Sequence, residues 1–105
     1  MEVSAKYEGQ QLEFQLSGEL DHHGAKGLLD CLEREIERTV PMSLVLDFSG
    51  VEFMDSSGIG LVLGRYRLMQ ERNGKLALRA MPPHIRRVMR VAGIANLEIE
   101  EESHV

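Results

Sequence analysis

Val3, Ala5 and Tyr7 alternate with polar residues, and after Glu8-Gly9-Gln10 the alternation resumes at Leu12, Phe14 and Leu16. A period of two marks half-buried strands, and the glycine-centred break between them marks a hairpin. From Ala25 the period changes: Leu28, Leu29, Leu32 and Ile36 fall at helical spacing, with Glu33, Glu35, Glu37 and Arg38 outside. Asp21 stands where it can cap that helix, and Pro41 stops it. Ser43-Leu44-Val45-Leu46-Asp47-Phe48 is almost continuously apolar, the pattern of a strand covered on both faces. A second helix starts at Ser56 or Ser57, presents Ile59, Val62, Leu63, Tyr66 and Met69 on one stripe, and ends at Asn73-Gly74, where a left-handed backbone is tolerated. Lys75–Arg79 predicts another strand. Pro82-Pro83 opens a third helix with Ile85, Val88, Met89 and Ala92 inward; Gly93 closes it, Leu97 with Ile99 predicts a last short strand, and the polar end from Glu100 to Val105 is expected to fray.

The order strand, strand, helix, strand, helix, strand, helix, strand predicts an α/β fold. Its sheet is mixed and mostly parallel, with about five strands, an N-terminal antiparallel hairpin and three or so packed helices. A chain of 105 residues fits one domain, expected over 1–105, with a core that needs neither disulfide nor structural metal. The single cysteine, Cys31, reads as a small packing residue of the first helix. No apolar run approaches the ~20 residues of a membrane span, and Met1-Glu2-Val3-Ser4 lacks the pattern of a signal peptide. These features lead us to expect a cytoplasmic protein without membrane contact, and a monomer is the simplest expectation for it.

The net charge of −5 is unevenly spread. Arg65 to Arg90 holds eight basic residues and one acidic residue, so that segment carries +7 and the rest −12. Either one basic face meets an acidic partner, or several helix faces are simply solvated. An acidic chain with five aromatics and no Trp argues against direct nucleic-acid binding.

The chemistry concentrates in Phe53-Met54-Asp55-Ser56-Ser57-Gly58-Ile59-Gly60, where a short apolar run gives way to a helix. A hydroxyl at the start of a helix can cap it, act as a nucleophile, or accept a phosphate. Unpaired N–H groups and the macrodipole make that end electropositive, so an added phosphate is tolerated there. Gly58 and Gly60 would keep bulk away from the hydroxyls, and Gly60-x-x-x-Gly64 would let the helix sit close to the sheet. The nucleophile reading is poorly supported. Gly-x-Ser-x-Gly is absent, and nothing in the element order brings His22, His23, His84 or His104 to Ser56, so no catalytic residue is assigned. His22-His23 lacks companions at metal-ligand spacing; no metal is assigned, and a place at the helix start or on a contact surface is expected.

Taken together, Gly18-Glu19-Leu20-Asp21-His22-His23, the block Phe53–Gly60 and Leu63-Gly64-Arg65-Tyr66 resemble the anti-sigma factor antagonists of the sulfate transporter and anti-sigma factor antagonist (STAS) domain family. The resemblance covers nearly the whole chain and implies a STAS-type fold, with a part in sigma factor regulation and sporulation. It further implies a phosphorylation switch. The unphosphorylated protein would bind an anti-sigma factor that is also an ATP-dependent serine kinase, freeing the sigma factor. That kinase would phosphorylate Ser56, with Ser57 the alternative acceptor, and a metal-dependent serine phosphatase would reverse it. The resemblance places Asp21, His22, His23, Asp55, Ser56, Ser57, Gly58, Ile59 and Gly60 at the partner contact. No cofactor is implied beyond a weak nucleotide contact near Asp21 and Ser56. Another stand-alone module of the same fold, in a stress-signalling assembly or beside a lipid transporter, is the alternative function.

Overall fold

Five strands form one sheet in the order β1-β2-β3-β4-β5: β1 (Glu2–Glu8), β2 (Gln11–Leu20), β3 (Ser43–Met54), β4 (Lys75–Arg79) and β5 (Glu100–Glu102). The computed structural model describes residues 1–103. β1 runs antiparallel to β2, and every other neighbouring pair is parallel. Three helices, α1 (His22–Thr39), α2 (Ser56–Glu71) and α3 (Pro83–Val91), connect the parallel strands, and a short 3-10 turn spans Ile94–Asn96. This is the mixed five-stranded α/β architecture that the periodicity predicts.

The alternation in β2 is realised literally. Leu12, Phe14 and Leu16 are buried, while Glu13, Gln15 and Ser17 face the other way. Their parallel partners continue the two faces: Leu44 and Leu46 on β3, then Leu76 and Leu78 on β4, lie beside Leu12 and Phe14. The buried sides of all three helices join that cluster through Leu28, Leu32 and Ile36 of α1, Leu61, Val62 and Met69 of α2, and Ile85 and Met89 of α3. Burying one large aliphatic side chain contributes about 1.5–3 kcal/mol, so this shared layer dominates the stability of the fold.

The opposite face of the sheet is charged. Arg79 of β4 reaches across β3 to Glu13 of β2 and also bonds Glu102 of β5 at 3.0 Å. Those hydrogen bonds raise the guanidinium pKa above its ordinary value, against a smaller opposing effect of burial. β3 is thus buried on both sides as expected, but Val45 lies outside the apolar cluster that takes Leu44, Leu46 and Phe48.

Several boundaries differ from the sequence expectation. α1 starts at His22 with Asp21 as its cap, as the sequence suggests, and the other limits shift. Its last turn closes on Val40, which adopts a left-handed φ of 46° and donates its N–H to the Ile36 carbonyl; Pro41, without an N–H, cannot continue the helix. β3 continues six residues beyond Phe48, through two register shifts against β2 at Gln15/Ser17 and Gly18/Glu19. The buried stripe of α2 is Gly58, Leu61, Val62 and Met69; Ile59, Leu63 and Tyr66 are half-buried beside it. On α3, Val88 is half-buried and Ala92 exposed. The last strand is Glu100–Glu102, not Leu97–Ile99, and its three glutamates, expected to fray, pair with Ala77–Arg79 of β4. His104 and Val105 lie outside the described residues.

Candidate functional site

The parallel strands β2 and β3 end side by side. Leu20 pairs with Met54, and the Asp55 N–H points at the Leu20 carbonyl at 3.4 Å. Each strand is followed at once by an extended aspartate and a helix. Asp21 accepts a hydrogen bond from Gly24 N at 2.8 Å, and Asp55 accepts one from Ser57 N at 2.9 Å. The two segments, Asp21-His22-His23-Gly24 and Asp55-Ser56-Ser57-Gly58, therefore share a capping plan and set two helix N-termini next to each other. Spacing alone does not give that juxtaposition, since the segments are 34 positions apart, although the family resemblance implies that both lie at one contact.

The caps settle which group holds the helix. Asp55 takes the capping role, and Ser56, the first helical residue, is exposed. Ser57 is half-buried, with its N–H engaged by the cap. Its side of α2 faces a groove shared with His22, whereas His23 borders a separate depression with Met1, Gly24 and Glu52. The expected contact residues are thus split: His22, Ser57 and Gly60 line the groove between the helices, whereas Asp21 and His23 border the depression beside Gly24 and Glu52, with exposed Ser56 and half-buried Asp55 at the start of α2. Ile59 is half-buried and Gly60 exposed.

The glycines act differently from the sequence expectation. Gly58 is buried, and a Cβ there would lie 2.4 Å from Met54 Cγ and 3.0 Å from Leu20 Cδ2, so it is required for close packing on the strand ends rather than for uncovering Ser56. Gly24 is approached as closely, with the Glu19 carbonyl oxygen 2.4 Å from its ideal Cβ, and there the obstacle is backbone. Gly60 and Gly64 meet nothing within 4 Å; they do not bring α2 to the sheet but leave space beside it.

The basic run of the sequence forms no single face. Arg79 is consumed in the ion cluster on the far side of the sheet, Arg86 approaches Glu101 at 3.7 Å, and Arg65 and Arg72 are half-buried on α2. His84 is tied to the Glu52 carbonyl at 2.8 Å, fastening the start of α3 to β3. Phe53, two residues before Asp55, is 49% exposed, an apolar surface beside the helix starts that the strand pattern did not single out.

Known proteins are similar to this chain in sequence and in fold. The family model described as Mlab, STAS domain matches residues 3–99. An anti-sigma F factor antagonist of Paenibacillus polymyxa is 37% identical over 79 residues, which make up 75% of this chain and 68% of that protein. The solved structure of the anti-sigma factor antagonist SpoIIAA in its unphosphorylated form superposes with a TM-score of 0.71 at 30% identity, covering 85% of this chain and 82% of that one. The Bacillus cell fate determinant SpoIIAA in its phosphorylated form superposes with a TM-score of 0.74 at 28% identity, covering 95% and 90%.

Proposed function

The chain belongs to the STAS domain family, and we propose that it is an anti-sigma factor antagonist switched off by phosphorylation of Ser56. The observation that carries this reading is the exposed Ser56 hydroxyl, held at the first position of a helix whose cap is supplied by another residue, Asp55. A hydroxyl that is not the cap can be modified without unmaking the helix. The relatives support the reading, since one is named an anti-sigma F factor antagonist and another was solved in a phosphorylated form.

In this reading the unphosphorylated protein docks its paired helix starts onto an anti-sigma factor that is an ATP-dependent serine kinase, and the sigma factor is released. Asp21, His22, Asp55, Ser57, Ile59 and Gly60 frame the contact, with His23 at its margin, buried Gly58 packed beneath it, and a weak nucleotide contact near Asp21 and Ser56. A metal-dependent serine phosphatase resets the switch. The protein works as a cytoplasmic monomer, without catalysis of its own.

The energetics need no refolding. A phosphoserine adds a charge of about −1.5 to −2, stabilised within the chain by the N-terminal end of α2 but opposed by an anionic partner surface. Two like charges ~5 Å apart at an effective dielectric of ~20 repel by about 3 kcal/mol before screening. A loss of about 2.7 kcal/mol already weakens binding a hundredfold.

The test is to incubate the protein with ATP and the anti-sigma factor kinase and to map the phosphate by mass spectrometry. The expected product carries one phosphate on Ser56, and Ser56→Ala carries none. Phosphate on Ser57, or none on the wild-type chain, would overturn the assignment.

A further inference from the structure

A groove of about 390 Å³ runs between α1 and α2, beginning at His22 and Ser57 and ending at Arg65. Its apolar lining comes from Ala25, Leu29 and Leu61, and its charged lining, Lys26 and Arg65, is wholly basic; Arg65 stands at the far end, where it also borders a second depression with Glu33, Glu37 and Arg72. Gly60 and Gly64 account for the space: a Cβ at either would touch nothing within 4 Å, so neither glycine is needed for packing of α2. Glycine is the poorest helix former after proline, and two of them one turn apart weaken α2 with no return inside the fold.

Arg65 supplies an independent sign. Its Nε is buried and has no hydrogen-bond partner; only Arg72 Nη1 shares that condition among the described residues. Burial lowers the Arg65 pKa, with Glu33 opposing and Arg72 adding to the effect, yet no carboxylate lies within salt-bridge distance of it among the described residues. A buried donor left unpaired is unfavourable, and an acceptor arriving from outside would relieve it.

We propose that this groove is a second docking element for the anti-sigma factor, receiving an apolar side chain of the partner with an adjacent carboxylate that accepts from Arg65. The inference rests on the function proposed above and extends that contact two turns along α2. A protein segment fits better than a free small molecule because the groove is continuous with Ser57, one residue from Ser56, so one partner surface covers both. The charge complementarity is one-sided, a basic lining awaiting an acid, which also makes the contact sensitive to salt.

Isothermal titration of the full chain with the purified anti-sigma factor tests this, with Gly64→Leu filling the groove, Arg65→Gln removing the charge, and Ser56→Asp as the reference for loss of the switch surface. Gly64→Leu is expected to weaken binding at least about tenfold, and Arg65→Gln about tenfold with a shallower salt dependence. Circular-dichroism melting is expected to show both variants folded. Gly64→Ser, a smaller addition, is expected to weaken binding less than Gly64→Leu and serves if the leucine variant does not fold. Wild-type affinity in Gly64→Leu and Arg65→Gln, with affinity lost in Ser56→Asp, overturns the groove and leaves the proposed function standing. A wild-type chain that does not bind the anti-sigma factor overturns both. Self-association of the wild type that Gly64→Leu abolishes, with partner binding intact, would make a second copy the occupant and also overturn the proposal.

Discussion

At the start of α1 an aspartate caps, a glycine three residues on presses against a backbone carbonyl, and two imidazoles stand between; at the start of α2 the same aspartate and glycine enclose two hydroxyls. The frame is common because both helices leave neighbouring parallel strands at the same level, Leu20 beside Met54. With capping assigned to the aspartates and close packing to the glycines, the residues between them are relieved of structural duty. What they are is then free to follow function, and only one of the two starts offers a group that a serine kinase can modify.

The strongest perturbation of this pair is expected at Gly24. Gly24→Ala drives a Cβ into the Glu19 carbonyl oxygen, a backbone atom that cannot swing away, and should destabilise the fold by about 3 kcal/mol in urea unfolding. Ser56→Asp should reduce affinity for the anti-sigma factor about a hundredfold, equivalent to about 2.7 kcal/mol, whereas His22→Asp at the matching position of α1 should change it by about tenfold or less. Equal losses would mean that the partner reads charge at either helix start, and the asymmetry would be gone. Gly58→Ala should cost about 2 kcal/mol, less than Gly24→Ala, because the obstacle is the Met54 side chain, which can change rotamer. Asp21→Ala and Asp55→Ala should each lose about 1 kcal/mol, with Asn restoring most of it. The smallest effect runs in the other direction: Gly60→Ala should raise stability by up to about 1 kcal/mol, since its Cβ enters open space.

Much of this was legible in the order of residues. The period of two in Leu12-Phe14-Leu16 and the helical spacing of Leu28, Leu32 and Ile36 reflect burial that depends on one face of one element, so local pattern suffices. The extension of β3 was hidden because Ser49-Gly50 reads as a turn and Glu52 and Phe53 are exposed; pairing with β2 through shifted registers overrides that reading. β5 was hidden for a related reason. Three successive glutamates carry no strand signal, and their place beside β4 is held partly by Arg79 and Arg86, which are distant in sequence. At the site, Asp before Ser identified a helix start and an exposed Ser56. The pairing of the two starts and the groove between α1 and α2 depend on how the helices pack, which no local window contains.

The Arg79 cluster has a consequence for how copies of this molecule behave when crowded. Sheets that stack do so about 10 Å apart, and side chains from both reach into that gap, so their facing charges come within the Debye length of about 8 Å at physiological salt. On the side of the sheet away from the core, Glu2, Glu8, Glu13, Asp47, Glu100 and Glu102 outnumber Lys6, Lys75 and Arg79. Two copies meeting flat on that side would confront like with like, and the sheet resists lamination into fibres by its own electrostatics.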